Sequence, residues 1–412
     1  MDRPQLTQPY TDRRRGPTNF DLLDQLKSTA WTCASINSSA IARFPPKLYV
    51  STSKSQPRPK CLTQPVSRSA REYLADRIQL KTQSELAEVT SHPILTLCET
   101  VNPYMNAFDL WELTNLYQEC IGSTYWYLET NALGRPFQIW PLPSQLVFMR
   151  PSGEGFTYYF QGETYTEAQI IHFRFPDPYY PYGPGLSPLR AAFAEARMSS
   201  SYNDLKVAKF DNRAAPDVII SPTEAIGEDE RSRLEVQWNN KFKRGGNGRA
   251  LVAESGLSVQ MMNAQMGDLA ALAEHGKTNE DIANAFHVPL SMLSTNTNLA
   301  NLQASDTQHS RVCLTPRLQR RDEKLNEQLV PLYDTSGRLK LISDDPTSED
   351  NEYNWRMADS AAKYGFWTIN ELRDQTGLAP VPWGNVPCQP TTQSAPSASH
   401  NPMPPPPSPN AS

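Results

Sequence analysis

The spacing of apolar residues in the first part of the chain predicts a helix followed by a strand. From about Asn19 to Ala42, apolar side chains recur every three or four positions, which is typical of a helix with one buried face. The residues of this face are Leu22, Leu23, Leu26, Ala30, Cys33 and Ala34. Pro45-Pro46 should end the helix, because proline lacks a backbone donor and disfavours helix in the residue before it. A short strand is expected at Lys47–Val50.

The pattern then changes from helices to short strands. Helices are predicted over residues 67–81, at Ile94–Leu97, and from Asn106, a favoured N-cap residue, to about Ile121. Five strands are predicted beyond them, with a hairpin turn at Asn131–Gly134 between the first two. These strands are Thr124–Glu129, Phe137–Trp140, Gln145–Met149, Phe156–Phe160 and Gln169–Phe175. A Pro- and Tyr-rich loop is expected over 176–185.

Two helices enclose a small mixed insert in the next part of the chain. Ser187-Pro188 is a strong helix start, since serine caps and proline fits the first turn, and this helix should reach about Asn212. The second helix is expected from about Gln265 to Phe286. The insert between them, residues 216–260, is predicted to hold one helix and three strands: Asp229–Phe242, Val218–Ser221, Ala250–Ala253 and Ser258–Met261.

A short polar loop separates the second of these helices from a longer one. After the sequence Ala-Phe-His-Val-Pro the chain is rich in Ser, Thr and Asn, and helical periodicity then resumes and continues to about Tyr333. Pro316 should kink this long helix. Its apolar face consists of Leu314, Leu318, Leu325, Leu329 and Leu332. A helix at Trp355–Tyr364 and a capping box from Thr368 to Glu371 follow, and the Pro-rich residues from 380 onward are predicted to be disordered.

Composition and charge restrict the classes of function. The 412-residue chain has a formal net charge of −5, with 38% hydrophobic and 20% charged residues. A DNA-binding domain is usually strongly basic, because its affinity comes from neutralising phosphates. The charge leaves two interpretations open. Either the chain never meets nucleic acid, or it lines a path along which a polyanion slides without sticking.

The sequence favours neither a metal site, nor a disulfide framework, nor a membrane segment. The six cysteines contain no CxxC pair that would suggest structural zinc, and they are too sparse for a disulfide scaffold. The N-terminal residues lack the apolar core of a signal peptide, and no run approaches the roughly 20 apolar residues that span a bilayer. Reduced thiols in a cytosolic setting and no membrane partner are expected.

The common catalytic motifs are missing from the sequence. It contains no GxxxxGK[ST] phosphate loop, no HExxH pair and no GxSxG motif. His287, at a helix end, is expected to be structural. The acidic pairs Asp344-Asp345 and Glu349-Asp350 lie in a Pro/Ser loop and are expected to be solvated, with a metal site as the alternative. We therefore predict no enzyme activity and no cofactor.

Motifs spread from about residue 20 to residue 385 resemble the HK97-type portal proteins of tailed bacterial viruses. The similar stretches follow the order of that family: SINSSAIARFPPKLYV, HPILTLCETVNPYMNAFDLWELTNLYQECIGSTYWYLE, IWPLPSQLVFMR, GPGLSPLRAA, NEDIANAFHVPLSML and FWTINELRDQTGLAPVP. Each stretch alone is a weak match, and their number and order make the resemblance specific. Two departures are that residues 51–91 are longer than in the family, and that Asn298-Leu299-Ala300-Asn301 stands where relatives often carry an aromatic side chain.

The resemblance implies an α+β portal fold, in which an α/β wing, a helical stem, a small α/β clip and a helical crown assemble as a ring. We map these regions as a flexible arm at 1–17, the N-terminal part of the wing at 18–186, stem helices at 187–215 and 262–287, the clip at 216–261, the tunnel loop at 288–302, the long wing helix at 303–345, the crown-like helical region at 346–385 and a disordered Pro-rich tail at 386–412.

The resemblance also implies a function and a set of partners. Portal rings, usually of twelve subunits, lie at one capsid vertex and conduct double-stranded DNA during packaging and ejection. The implied partners are further copies of the chain, the major capsid protein, the large terminase subunit and later a head–tail adaptor. The implied location is the virion, with assembly in the host cytoplasm. The tunnel loop would face DNA with short polar side chains: Ser291, Ser294, Thr295, Asn296, Thr297, Asn298 and Asn301.

A basic, Gly-rich stretch in the predicted clip is the candidate contact for the terminase or for DNA phosphate. It contains Lys241, Lys243, Arg244 and Arg249, and a plain solvated turn is an equal alternative. Two rival functions stay open. One is another ring-forming structural or adaptor protein of the virion. The other is a phage-associated nuclease, which would require clustered acids or a nucleophile–base pair that the sequence lacks.

Overall fold

A computed structural model describes the larger part of the chain. The described residues are 16–51, 62–66, 86–152, 155–211, 218–222, 257–261, 276–294, 298–347, 351–375 and 380–386, with scattered positions in 70–77 and 229–236. The chain divides into two compact units, residues 1–64 with 87–347 and residues 65–86 with 348–412. The predictions for residues 1–15 of the arm, for most of the 67–81 and 229–242 helices, for the strand at 250–253, for 262–275 and for the tail beyond residue 386 lie outside the described residues. The predicted disorder is wrong for residues 380–386, because they form a turn whose backbone is hydrogen-bonded to Asn370.

The N-terminal helical region consists of two helices, and the prediction of a single helix is wrong. Helix α1 (Asn19–Asp24) is separated from α2 (Ser28–Ala42) by residues 25–27, and Ser28 adopts a left-handed φ of 49°. Both helices bury apolar side chains in the same cluster. The helical spacing of apolar residues therefore continues from α1 into α2, and this spacing does not show the break between them.

Two helices with favourable N-caps precede the central sheet. Helix α3 (Pro93–Glu99) follows His92, whose ring nitrogen caps it. Helix α4 (Ala107–Ile121) follows Asn106, whose side-chain oxygen accepts the Asp109 N–H at 2.8 Å. This cap confirms the predicted start, and it satisfies one of the donors that a helix leaves unpaired at its first turn.

Twelve strands in the described residues form four sheets. They are β1 (Lys47–Ser51), β2 (Thr63–Pro65), β3 (Leu86–Val89), β4 (Ser123–Thr130), β5 (Pro136–Leu142), β6 (Phe148–Ser152), β7 (Gly155–Phe160), β8 (Glu163–Thr166), β9 (Ile170–Arg174), β10 (Val218–Pro222), β11 (Leu257–Met261) and β12 (Leu339–Ile342). The strand orders are β12-β1-β3-β2, β5-β4-β9, β6-β7-β8 and β10-β11. The pairs β1–β12, β4–β5, β4–β9, β6–β7, β7–β8 and β10–β11 are antiparallel.

The predicted hairpin is confirmed, and one predicted strand is wrong. Strands β4 and β5 enclose a turn in which the Asn131 side chain accepts the N–H groups of Leu133 and Arg135, each at 3.0 Å. The prediction of a strand at Gln145–Met149 fails, because Ser144–Leu146 forms a 3₁₀ turn and the strand begins only at Phe148. This turn carries the chain from one sheet to the next.

Helices dominate the second half. They are α5 (Pro188–Ala191), α6 (Phe193–Asp211), α7 (276–285), α8 (Leu290–Leu293), α9 (Leu299–His309), α10 (Thr315–Gln328), α11 (Asn351–Tyr364) and α12 (Ile369–Gln375). A π-helical turn, Ser310–Leu314, joins α9 to α10, and a 3₁₀ turn, Val330–Leu332, follows α10. The irregularity expected at Pro316 thus lies in the turn before it, where the Thr315 N–H donates to the Ser310 carbonyl. In the smaller unit, the capping box of Thr368 and Glu371 is confirmed.

Two cores of the larger unit position these elements. The first lies among α3, α4, α10 and two of the sheets, and Trp126 is its centre, with ring centroids 5.1 Å from Trp111 and 4.7 Å from Phe173. The second lies among α1, α2, the end of α4, the start of the α5–α6 segment, and α7. The α+β class that the sequence predicts is confirmed by this combination of helices and antiparallel strands.

Candidate functional site

The helix before the polar segment ends in a Schellman motif. The Val288 N–H donates to the Ala283 carbonyl at 2.9 Å, and the His287 N–H donates to the Asn284 carbonyl at 3.0 Å. His287 holds the left-handed position of this motif with φ 59°. Val288 and Ala283 are buried in the same apolar cluster, and Pro289 prevents the helix from continuing. The structural role predicted for His287 agrees with this geometry.

The polar segment is more helical than the predicted loop. Ser291 lies on α8, and Asn301 lies in the first turn of α9. Ser294 is the exposed residue after α8, and Asn298 is the exposed N-cap residue of α9. The Ser291 hydroxyl donates to the Ser305 hydroxyl and so joins the two helices. Three further candidate residues lie outside the described part of the chain: Thr295, Asn296 and Thr297.

The beginning of α9 is exposed all around its circumference. Residues 298–304 are all exposed, with Leu299 at 68% and Leu302 at 41%. Residues 288–305 also contain no Asp, Glu, Lys or Arg. The beginning of α9 therefore presents only uncharged polar side chains, an alanine and two leucines to its surroundings.

The base of the polar segment is buried and is held by one side chain of α2. The Asn37 amide donates to the Phe286 carbonyl at 2.9 Å, at the end of α7. Its oxygen lies 2.8 Å from Nε2 of His309 and 3.4 Å from Sγ of Cys313, at the junction of α9 with the π-helical turn. Burial, with a smaller contribution from the Arg317 charge, lowers the pKa of His309, so the neutral ring donates from Nε2.

A buried ion pair lies beside this base. The Arg317 guanidinium forms two hydrogen bonds to the Glu119 carboxylate, at 2.5 and 3.2 Å, and donates to the Cys313 carbonyl at 3.1 Å. It also lies over the Phe175 ring, 5.5 Å from the centroid. Burial opposes the charge of Arg317, but Glu119 outweighs it, and the pKa of the guanidinium is raised. The pair joins α4 to α10.

The start of the first predicted stem helix is fixed by two close-packed glycines. Gly122 ends α4 with φ 98°, and a Cβ at this position would lie 2.8 Å from the Gly185 carbonyl oxygen. Gly185 has φ 110° and is equally closely packed, because its Cβ would overlap the carbonyl oxygens of Gly122 and Phe175. The Ser187 side chain then accepts the Arg190 N–H at 2.9 Å, which confirms the predicted cap of α5. The helix is interrupted at residue 192 before it resumes as α6.

The remaining candidate sites are only partly described. Strands β10 and β11 confirm two strands of the predicted insert, and the basic candidates between them in sequence lie outside the described residues: Lys241, Lys243, Arg244 and Arg249. The described residues contain no group of three His, Cys, Asp or Glu side chains placed to hold a metal ion. Among them, no helix is long and apolar enough to cross a membrane. Burial raises the pKa of the Cys33, Cys98 and Cys313 thiols to about 12, so these cysteines are thiols at neutral pH.

Asn37, Glu119 and Arg317 are site residues that sequence reasoning missed. Asn37 follows Cys33 and Ala34 at helical spacing on the apolar face of α2, so a polar residue within an apolar stripe was the available signal. Its partners are at least 249 positions away in sequence, and no local pattern could identify them.

Comparison with known proteins identifies the family to which the chain is related. Residues 74–377 match the family model described as phage portal protein. The portal protein of Enterobacteria phage HK97 is 24% identical over 321 residues, covering 72% of each chain. Two solved structures share the fold. A neck chain of a native gene transfer agent particle, determined with C12 symmetry, has a TM-score of 0.59 at 18% identity, covering 89% of this chain and 95% of that one. An HK97-family portal protein from Corynebacterium diphtheriae has a TM-score of 0.52 at 14% identity, covering 78% and 94%. The chain belongs to the phage portal protein family.

Proposed function

We propose that this chain is one of twelve subunits of a ring that forms the DNA channel and head–tail connector at one vertex of a capsid. The observation that carries the proposal is the family match over residues 74–377. The fold shared with a subunit of a twelvefold neck supports the closed ring. Such a ring requires each subunit to present two different, complementary faces, because head-to-tail contacts close only by rotation.

The segment 288–305 would be the part of each subunit that lies closest to DNA. Its uncharged polar side chains can hydrogen-bond phosphate oxygens, but they neutralise no phosphate and so release no counterions. The grip on DNA would be weak and independent of sequence. This favours the second interpretation of the net charge of −5, a path along which DNA slides without sticking.

The partners would be those of a portal vertex. The segment between β10 and β11, with its basic residues 241–249, would contact the terminase large subunit during packaging and the head–tail adaptor afterwards. The outer part of the ring would contact the major capsid protein. Assembly would take place in the host cytoplasm and end in the virion. The portal family is structural, and the subunit would guide DNA while a separate ATPase does the work.

Assembly is tested first by electron microscopy of the purified chain, alone and co-expressed with the neighbouring capsid genes. Rings with a central hole are expected, and monomers or dimers under both conditions would contradict the proposal.

The DNA path is tested by introducing charge. Lysines in the double variant Asn298→Lys/Asn301→Lys would place up to 24 cations around a ring of twelve, about two per subunit, and each neutralised phosphate adds a salt-dependent hold on DNA. Packaging should slow at low salt and recover at high salt. Thr164→Lys, which adds a cation on exposed strand β8, should package normally. Equal packaging by both variants, in rings of normal appearance, would argue against a DNA-facing segment.

The earlier substitution test remains useful beside it. We expect Asn296→Ala/Asn298→Ala to alter packaging or DNA retention without unfolding the protein. Unchanged packaging in this double variant would count against the proposed role of the segment.

A further inference from the structure

Helix α2 lies beside α7 and contacts it at two points about two turns apart. Near the start of α2, the Thr29 hydroxyl donates to the Asn279 side chain of α7 at 3.1 Å, and Ser199 of α6 donates to the same oxygen at 3.2 Å. Near the end of α7, Asn37 donates to the Phe286 carbonyl. Helix α7 therefore has a fixed position along α2 up to the residue where the polar segment begins.

The same Asn37 side chain also fixes the helix that leaves the polar segment. Its oxygen receives the His309 N–H and is in reach of the Cys313 thiol, which lies four residues further along the same helical run. Both partners and Asn37 itself are buried. One amide thus joins the last residue before the segment's Schellman turn to the far end of α9, two positions 23 residues apart in sequence.

Burying an amide at this position costs free energy unless its hydrogen bonds are made. A leucine of similar size would pack in the surrounding apolar cluster without needing hydrogen-bond partners. Polar groups in a core specify one arrangement of the elements that they join, because every alternative leaves them unpaired. The contact at the outer end of the segment, between the Ser291 and Ser305 hydroxyls, is only partly buried. It therefore provides a weaker connection than the one at the base.

We infer that Asn37 is a positioning residue that holds both ends of the segment 287–309 at one point on α2. We call this arrangement, in which Asn37 bonds both Phe286 and His309, the clamp. The clamp rests only on the contacts of Asn37, whereas the DNA-facing role of the segment rests on the proposed function. With both ends held there, displacement of the segment should be smallest at Phe286 and His309 and larger at the exposed residues Ser294 and Asn298. In a ring of subunits, the clamp would then set how far these side chains extend into the channel.

Hydrogen exchange of the full-length assembled protein tests the clamp. In Asn37→Leu the amides of residues 284–310 should exchange about tenfold faster, since a lost buried hydrogen bond with unpaired partners shifts local opening by roughly that factor. Exchange in β4 and β9 should not change. The matched control is Asn115→Leu, because Asn115 is also a buried amide, and its amide donates to Trp111 within its own helix α4. The control should leave residues 284–310 as they are.

A second pair of variants keeps the test independent of the folding of Asn37→Leu. His309→Gln retains a side-chain N–H near the Nε2 position, and His309→Leu does not. We expect wild-type exchange in the first variant and faster exchange of residues 284–310 in the second. Exchange that rises equally over the whole chain, or equally in His309→Gln and His309→Leu, would overturn the positioning role.

DNA retention separates failure of the clamp from failure of the proposed function. If DNA retention changes in Asn298→Lys/Asn301→Lys but hydrogen exchange of residues 284–310 is unchanged in Asn37→Leu, the channel proposal stands and the clamp is wrong. If Asn37→Leu loosens the segment and both variants retain DNA normally in intact rings, the clamp stands and the DNA-facing role is wrong. Loosening of the segment together with a loss of retained DNA supports both.

Discussion

Removing one partner of the Glu119–Arg317 ion pair should destabilise the protein more than removing both. The two side chains are only 1% and 9% exposed, so neither charge can regain its hydration when the other is lost. Breaking a buried pair in this way costs about 3–5 kcal/mol, whereas replacing both partners by apolar side chains of similar volume is often neutral. The structure therefore gives different expectations for the single and double variants.

Each single variant leaves one buried charge without its opposite partner. In Glu119→Met the Arg317 charge remains buried beside the Cys313 carbonyl and the Phe175 ring, neither of which is charged, so we expect a loss of about 4–5 kcal/mol. In Arg317→Met the Glu119 side chain loses its two hydrogen bonds from the guanidinium, and the expected loss is about 3–5 kcal/mol. The double variant should lie within about 2 kcal/mol of the wild type.

Urea unfolding followed by circular dichroism measures these differences, at one protein concentration because association adds to stability by mass action. Glu327→Gln is a control on α10: its pair with Lys324 has side chains 68% and 24% exposed, and its loss should cost at most about 0.5 kcal/mol. Losses of the two single variants that simply add in the double variant would refute the reasoning, because they would show that the charges do not depend on each other.

Three further outcomes follow from the structure. Burial, with Arg174 and Lys324 nearby, lowers the pKa of His172 well below its ordinary value, so the folded chain binds fewer protons than the unfolded chain as the pH falls through about 6.5. Urea midpoints should fall between pH 7 and 5.5, and the slope due to His172 should steepen toward its limit of about 1.4 kcal/mol per pH unit at lower pH; a flat profile would contradict this. Gly122→Ala should lower the free energy of unfolding by more than about 3 kcal/mol, because backbone atoms lie under 3 Å from the new Cβ. Gly134→Ala should lower it by only about 1 kcal/mol, because at φ 73° its new Cβ meets open space. Equal losses in the two variants would exclude the close backbone approach at Gly122 as the cause. His287→Val should lower the free energy of unfolding by about 1–2 kcal/mol more than His287→Asn, because asparagine adopts the left-handed conformation and β-branched residues rarely do. Similar thermal-unfolding midpoints for the two variants would argue against the Schellman turn.

The sequence predicted the elements whose signals are local. The caps at Asn106, Ser187 and Thr368 depend on residues three positions apart, so the determinant and its consequence lie in one short window. The hairpin at Asn131 is similar, since the turn residue binds the backbone of the next few positions. Local patterns do not predict the boundary between two elements that pack on the same apolar cluster, as α1 and α2 do. They fail again where the chain changes sheets, as at Ser144–Leu146.

The sequence indicates where the polar segment lies and which residues it contains, but it does not indicate the hydrogen bonds that hold the base of the segment. The polar residues between Pro289 and Asn301, and the helical run that begins after them, follow from the sequence, but the short helix α8 does not. The hydrogen bonds of Asn37, and those between Arg317 and Glu119, join residues separated by 198 to 276 positions. Contacts of this kind are set by the packing of whole elements, and a single polar residue on an apolar helix face can indicate only that some partner exists.

The distribution of charge around the polar segment separates folding from function. At its base the charges of Arg317 and Glu119 are buried and paired, so the fold requires each of them as long as the other is present. At its exposed end the chain has no charge between residues 288 and 305. The exposure of Asn298 and Asn301 means that folding sets no requirement on their charge, since a lysine there would remain in water. An uncharged surface at this position is thus not a consequence of stability. Because the fold tolerates a cation there, any effect of the lysine variants on DNA transit would report on what the surface contacts and not on whether the subunit folds.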